Sequence, residues 1–271
     1  MTELGLRLCG AIGFRPTLWP TVFTVPAVLV MLALGTWQIE RLLWKEALIA
    51  QRVAGMAAPP VPLPGAGDDL AAVEYRRAVV TGEFRHDREM YLAARSLRGN
   101  PGYHVVTPLR LADGRAVLVD RGWVPMDRKD PATRAAGQAT GPVTLDGVIR
   151  RAGAPGWLVP DNQPADNVWF WVDPPAMAAQ AGVPAAAAPF YLEAGPAENP
   201  GGFPIGGQTR IDLPNDHLQY AITWYALAAA LLVIYVLYHR RRELEARSAS
   251  GNGLTACRHR PDTVDRHEAR R

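Results

Sequence analysis

One histidine begins the last long apolar stretch of the sequence, and its surroundings suggest chemistry more than those of any other residue. His217 follows "LPND", in which Asn215 or Asp216 can serve as a helix N-cap. The positive end of the helix dipole disfavours a protonated imidazole in the first turn. A neutral imidazole retains the lone pair that an iron ligand requires. His217 is therefore a candidate metal ligand, with an interfacial histidine that only hydrogen-bonds headgroups or a neighbouring loop as the alternative.

One face of the same predicted helix suits a flat apolar ring. Residues 217, 220, 221, 224 and 228 share this face at helical spacing. It offers Tyr220 and Trp224 beside the small Ala221 and Ala228. We therefore expect Tyr220 and Trp224 to pack against a planar group held by His217, with the small residues leaving room for it.

Further candidates follow the first apolar stretch, at a depth similar to that of His217. Gln38 and Arg41 lie just past this stretch, and Arg41 can pair bidentately with a propionate or phosphate. Snorkelling of Arg41 to lipid headgroups explains it equally well. Trp37 and Trp44 suit interface anchors as well as cofactor walls.

The sequence "DRGWVP" (120–125) ends a predicted strand. It makes Arg121 a candidate for exposed partner recognition, whereas a salt bridge to Asp120 or across strands explains the residue equally well, and Trp123 suits a core position. A nucleophile such as Ser96 would need a base near it, and the candidates are His86 and His104.

Two uncharged runs of about 20 residues are long enough to cross the ~30 Å hydrocarbon layer of a bilayer. We predict transmembrane helices over 18–38 and 217–238, with aromatic residues at their ends as in interfacial belts. The first run could instead be a cleaved signal peptide, and the second a buried soluble helix. The first helix is expected to continue over 39–53, followed by a proline-rich linker over 54–70.

Charge predicts the orientation. Residues 239–271 contain nine arginines and five acidic residues, a net charge of +4, and residues 1–18 carry +1. The whole chain carries +3, so residues 19–238 carry −2. Basic flanks remain in the cytoplasm. We therefore expect a cytoplasmic N-terminus over 1–17, a periplasmic domain over 39–216, and a disordered basic cytoplasmic tail over 239–271.

Short strand-like runs separated by turn signals occupy the middle of the chain. They cover 75–84, 89–95, 103–111, 115–124, 141–150, 168–173 and 190–194, with a short helix over 174–182. Such spacing predicts an antiparallel sheet or small barrel. The expected fold class is an α+β membrane protein, with two transmembrane helices flanking an antiparallel β-rich domain.

Several functional classes are disfavoured. The two cysteines, Cys9 and Cys257, fall on the predicted inner side, so the outer domain has no disulfide or thiolate metal site. The common nucleotide-binding, serine-hydrolase and zinc-peptidase motifs are absent. The basic tail lacks the aromatic interleaving of a nucleic-acid site, and no nucleic-acid partner is expected.

Four blocks in order resemble the Surfeit-locus family of cytochrome c oxidase assembly factors. They are "LGTWQIERLLWK" (34–45), "YRRAVVTGEF" (75–84), "VLVDRGWVP" (117–125) and "NDHLQYAITWY" (215–225). The resemblance covers roughly 18–240, and the segments around 167–185 and 189–225 are similar to alphaproteobacterial members. Family members often have two asparagines before the histidine, where this chain has Asn215 and Asp216.

The resemblance implies a non-enzymatic role in building haem-copper oxidases, with haem a bound transiently. The family's haem-linked histidine falls on His217, its tryptophan on Trp224, and its "WQxxRxxWK" block on Trp37, Gln38, Arg41, Trp44 and Lys45. Expected partners are the catalytic subunit of the oxidase, a haem a synthase and the lipid bilayer. The expected location is the bacterial inner membrane, with docking through Arg121 and Trp123.

Three other functions remain open from the sequence. They are a haem-independent scaffold for an oxidase assembly intermediate, a membrane-anchored hydrolase, and a lipid- or solute-binding module built on the β domain. The sequence does not determine haem type or stoichiometry, retention of the haem, oligomeric state, or the role of the tail.

Overall fold

The computed structural model describes residues 16–153, 155–184 and 189–256, and it divides them into two units. One comprises the described residues up to Lys45 and from Pro214 onward, and the other comprises Glu46–Leu213. Helix α1 (Leu18–Ala57) and helix α4 (His217–Ala256) each have 40 residues. Both are long and apolar enough to cross a membrane.

In the first unit, α1 and α4 run antiparallel and are joined by hydrogen bonds along their length. Thr21 Oγ1 and the Tyr235 hydroxyl are 2.5 Å apart, and the Thr36 and Tyr225 hydroxyls are 3.1 Å apart. Gly35 permits this approach, because a Cβ there would lie 2.9 Å from the Tyr225 ring. Small residues at a helix contact are typical of pairs within a bilayer.

The less exposed positions form one stripe on each helix. On α4 they are His217, Ala221, Trp224, Ala228, Leu231, Tyr235 and His239, and on α1 they include Thr21, Thr24, Val28, Met31, Gly35, Gln38 and Leu42. Alternating steps of three and four are the spacing of a coiled-coil-like seam. Most of the other apolar side chains of both helices are exposed, as expected of lipid-facing surfaces.

The second unit is built on a seven-stranded sheet. Its strands are β1 (Arg77–Phe84), β2 (Met90–Leu97), β3 (Asn100–Leu111), β4 (Ala116–Pro125), β5 (Pro142–Arg151), β6 (Val168–Trp169) and β7 (Phe190–Ala194), with the short helices α2 (Leu70–Val73) and α3 (Pro174–Ala181). The order is β1-β5-β7-β4-β3-β2-β6, and β1 also pairs with β3. The additional pairing closes a five-stranded barrel, from which β2 and β6 extend the sheet.

Two apolar clusters hold this unit together. The first cluster consists of side chains of the barrel strands, among them Leu109, Val119, Ile149 and Leu192. The second includes residues of β2 and β3, Trp169 of β6, and Met177 of α3. The first cluster fills the barrel with side chains, as in other small barrels.

The seven predicted strands and the short helix are confirmed, with two corrections to the sheet. The sheet is mixed rather than antiparallel, because β4–β7 and β2–β6 are parallel pairs. The run predicted as a strand over 168–173 ends at Trp169. Asn162 Oδ1 accepts the backbone N–H of Phe170 at 2.8 Å and of Trp171 at 3.3 Å, so these groups do not enter a ladder.

The predicted helix boundaries also change. Helix α1 continues past 53 to Ala57, and α4 continues past the arginines at 240–242 instead of becoming disordered at 239. Arg241–Glu245 and Glu243–Arg247 are ion pairs one helical turn apart, which stabilise this polar extension. The rest of the predicted tail, 257–271, and the N-terminal residues 1–15 lie outside the described residues, as do Cys9 and Cys257.

Candidate functional site

The structure joins two of the sequence candidates at the end of the helix pair where α4 begins. His217 Nδ1 lies 2.5 Å from Gln38 Oε1. A carbonyl oxygen only accepts hydrogen bonds, so with Gln38 Oε1 as partner the proton is on Nδ1. In the neutral form of the imidazole, this hydrogen bond places the lone pair on Nε2. A second hydrogen-bonding residue that fixes tautomer and ring orientation is the usual accompaniment of a ligating histidine.

Other groups surround this pair. The rings of Trp37 and His217 are edge-to-face, with centroids 6.3 Å apart. Lys45 Nζ donates to the Pro214 carbonyl at 2.6 Å, so α1 contacts the chain just before α4. Asn215 Oδ1 is buried and has no hydrogen-bond partner among the described residues. A buried acceptor without a partner, two residues before His217, marks a place where a donor is missing.

The expected aromatic face on α4 is only partly formed. Trp224 and the small Ala221 and Ala228 belong to the stripe of low exposure, and the two alanines are 1% and 2% exposed. The space beside these alanines is therefore filled by packing within the helix pair rather than left for a ring. Tyr220 lies off the stripe and is 56% exposed, so it flanks His217 from the accessible side.

Arg41 lies one turn beyond Gln38 on α1. Its guanidinium carbon is 3.9 Å from the centroid of the Trp44 ring, a cation–π contact. Stacking uses the face of the guanidinium and leaves its in-plane N–H groups for an acceptor. Trp37 and Trp44 are both about half exposed, as expected of interfacial anchors.

The exposure expected of a docking pair is not observed at Arg121 and Trp123, because both side chains are buried. Arg121 is 2% exposed and Trp123 6%. Arg121 donates to the Gly137 carbonyl at 2.5 Å and to Asn199 Oδ1 at 3.2 Å, and its guanidinium lies over the Phe84 ring. The salt-bridge alternative is the one observed, with Glu89 as partner and not Asp120.

Sequence reasoning missed the network to which Arg121 belongs. Glu89 receives two hydrogen bonds from Arg134, at 3.2 and 2.5 Å, and one from Arg121 at 3.4 Å, and all three side chains are buried. Burial alone favours the neutral acid, but His86 and the two arginines outweigh it and lower the pKa of Glu89. Burial lowers the pKa of Arg121 to about 10. These charged groups are hydrogen-bonded to one another, which suits a structural role.

A second missed residue is His239, at the other end of α4. It is 2% exposed, and its Nδ1 lies 2.8 Å from the Tyr235 carbonyl. Its Nε2 lies 3.1 Å from the backbone nitrogen of Thr17, which precedes α1. The imidazole thus accepts one of the unpaired N–H groups at the start of the partner helix. Only the three following arginines hinted at a boundary here, and they gave no sign of this contact.

The geometry does not support a hydrolase that uses Ser96 with His86 or His104 as its base. His86 is engaged by the Ala139 carbonyl at 3.0 Å and lies 3.5 Å from Glu89. His104 is bonded to Asp120 at 2.8 Å, in the manner of a base held by a carboxylate. Ser96, however, pairs with Pro101 in the sheet. Pro101 is three positions from His104 along β3, a distance of about 10 Å. A nucleophile must lie within hydrogen-bond distance of its base.

Comparisons with known proteins match most of the chain, from within α1 to within α4. A family model described as the SURF1 family matches residues 25–229. A SURF1-like protein of Monosiga brevicollis is 41% identical over 236 residues, covering 83% of this chain and 88% of that protein. Surfeit locus protein 1 of Mus musculus is 38% identical over 224 residues (77% and 72%), and that of Homo sapiens 40% over 213 residues (73% and 70%).

Proposed function

The chain belongs to the SURF1 family, and on that premise we propose that it is an assembly factor for haem-copper cytochrome c oxidase. In this proposal it binds haem a at the outer end of the helix pair and assists its insertion into the catalytic subunit. The role is that of a carrier rather than an enzyme. The observation that carries it is the His217–Gln38 hydrogen bond, which leaves the lone pair of His217 Nε2 available to bind iron.

The residues present fit a haem. Where haem is bound, the neutral imidazole of His217 would hold its iron through Nε2. His217 would be a single protein ligand to the haem iron. A single ligand suits a carrier, because the haem must leave again. Among the described residues, no cluster of three or more His, Cys, Asp or Glu side chains could hold a bare metal ion.

Each neighbouring residue has a distinct part in this proposal. Gln38 orients the imidazole and holds its proton on Nδ1. Trp37 and Tyr220 cover the macrocycle from the accessible side, and Trp224 supports the helix pair beneath the site. Arg41 holds a propionate with the N–H groups that its contact with Trp44 leaves available.

The proposed location is the bacterial inner membrane, with the bilayer around α1 and α4. Both termini lie in the cytoplasm and the barrel unit in the periplasm. This orientation rests on the net charge of +4 over 239–271 against −2 over 19–238. The catalytic subunit is the proposed recipient and a haem a synthase the proposed donor of the haem.

The direct test is an absorbance spectrum of the full chain purified in detergent from cells that make haem a. We expect a Soret band in the wild type and its loss in His217→Ala. His239→Gln is the matched control, because it changes the other histidine of α4, retains an acceptor for the Thr17 N–H, and should keep the band. Gln38→Ala should retain haem with at least tenfold weaker affinity, since the imidazole loses its orienting partner.

The same variants separate the carrier from a haem-independent scaffold. If His217→Ala kept the band at wild-type occupancy, the ligand assignment would be wrong. If the variant lost the band and yet supported full oxidase assembly in cells, the scaffold would be the correct function. If both haem and assembly were lost while the variant remained folded and in the membrane, the carrier role would be supported.

A further inference from the structure

The barrel unit contains a polar cavity that the proposed haem site does not use. Its volume is about 330 Å³, at the lower end of the range of small-molecule sites. Three arginines line it, Arg95, Arg150 and Arg210, together with the acids Asp120 and Glu193. With His104 neutral, the lining carries a net charge of +1.

Both acids are already engaged by the wall of the cavity. Asp120 accepts from His104 Nδ1 at 2.8 Å and from the backbone N–H of Gly122 at 2.9 Å. Glu193 accepts from the Tyr191 hydroxyl at 3.2 Å and from Arg150 at 3.5 Å. Each carboxylate oxygen therefore already has a donor, and neither acid needs a bound cation.

Two of the arginines lack such compensation. Arg95 donates to the Phe170 carbonyl at 3.4 Å, and within the described ranges neither Arg95 nor Arg210 forms an ion pair. Arg150, by contrast, is compensated by ion pairs with Glu193 at 3.5 Å and with Glu74 at 3.7 Å. Burial raises the pKa of the Glu193 carboxyl, and the neighbouring Arg150 opposes this effect. The cavity thus offers guanidinium donors in excess of its acceptors.

The local backbone is arranged to give the cavity this lining. The pairs Leu92–His104 and Arg95–Gly102 show one extra residue on β2, and Ala94 within it has φ 54°. In an unbroken strand, Leu92 and Arg95 would face opposite sides, whereas the bulge brings both to the cavity. Positive φ at a non-glycine residue costs about 1–3 kcal/mol and often marks a functional position.

A second bulge lies on the other side of the same cavity. The pairs Val106–Asp120 and His104–Trp123 show one extra residue on β4, where Gly122 has φ 111°. A Cβ at Gly122 would lie 1.9 Å from the Ile205 carbonyl oxygen, so only glycine fits. The turn allows the Gly122 N–H to reach Asp120, which in turn holds His104 at the cavity wall.

We propose that this cavity binds a small soluble oxyanion, a phosphate or carboxylate group, through Arg95 and Arg210. Planar guanidinium groups match both oxyanions bidentately. Ser96, Gln208 and His104 line the same space and supply further hydrogen-bonding groups. This site goes beyond the proposed haem function and does not depend on it.

The test is calorimetric titration of the full chain in detergent at low salt, first with inorganic phosphate and then with succinate. We expect saturable binding of at least one of the two, and the tighter probe identifies the anion class. Arg95→Gln combined with Arg210→Gln should weaken this binding at least tenfold. The control is Arg88→Gln with Arg110→Gln, which removes the same charge from exposed positions outside the cavity and should change binding less than twofold.

Ser96→Glu is a second variant that keeps the wall contacts. Ser96 is exposed, so the variant should fold, and the added carboxylate should abolish phosphate and succinate binding by repulsion. Saturable binding lost in both cavity variants and kept in the control supports the site. Absence of saturation in the wild type, or equal weakening in the control pair, overturns it.

Discussion

The buried Glu89 network allows a quantitative prediction for the barrel unit. Glu89→Gln keeps the size of the side chain and removes its charge, which leaves Arg121 and Arg134 buried without a counter-ion. Removing one partner of a buried ion pair costs roughly 3–5 kcal/mol, mostly because the remaining charge is uncompensated. All three side chains are about 2% exposed or less, so solvent screening offers little relief.

The change should be visible in thermal unfolding of the full chain in detergent, followed by near-ultraviolet circular dichroism. For a unit of this size, each kcal/mol lowers Tm by about 2–4 °C, so Glu89→Gln should lower it by roughly 6–20 °C. Glu83→Gln in β1 is the matched control. Glu83 is 49% exposed and lies 3.6 Å from Arg110, so its loss should cost about 1 kcal/mol or less.

Arg121→Met tests whether the Glu89 network contains an excess of positive charge. Two arginines face one acid, so removing Arg121 leaves Glu89 balanced by Arg134. The loss in Tm should therefore be smaller than for Glu89→Gln, even though the Gly137 and Asn199 contacts are lost as well. The reasoning fails if Glu89→Gln is no more harmful than Glu83→Gln, or if Arg121→Met is the more damaging of the two.

Three further predictions follow from the same structure. Because the pKa of Glu89 is lowered on folding, its stabilisation is present above the unfolded pKa and lost as pH falls through the folded value. The Tm difference between wild type and Glu89→Gln should therefore shrink below about pH 4 and not between pH 6 and 8. Gly122→Ala should cost at least about 2 kcal/mol, since its φ of 111° and the Ile205 carbonyl both oppose a Cβ, whereas Gly114→Ala in open space should cost about 1 kcal/mol by the same Tm measurement. Gly35→Val should displace the Tyr225 ring and reduce disulfide cross-linking between cysteines placed at Thr21 and Tyr235, and the exposed Ala33→Val should leave that cross-linking at the wild-type yield.

The site candidates at the end of the helix pair where α4 begins could be predicted from the sequence for a local reason. Helical spacing relates His217 to Tyr220 and Trp224, and the end of each apolar run places His217 and Gln38 at similar depth. The length and polarity of the two apolar runs thus predicted that these residues lie near one another. The hydrogen bond between His217 and Gln38 depends on the rotation of each helix about its axis, which only packing decides.

Arg121 shows the opposite case. Its position at the end of β4 was evident from the sequence, but its burial was not, because charged residues are rarely buried without a partner. Its partner Glu89 is 32 residues earlier in the chain and Arg134 is 13 later, with no periodic relation among them. The barrel closure brings them together, and tertiary contacts alone determine it.

By itself, the sequence determined the two apolar helices, the seven short strands and the glycine-rich turns, since each follows from local periodicity and backbone preference. The tertiary structure decided the parallel pairs in the sheet, the tautomer favoured at His217, the His239 contact and the polar cavity. These depend on groups distant in the chain, and their free energies come from desolvation and hydrogen bonding that exist only once the chain has packed.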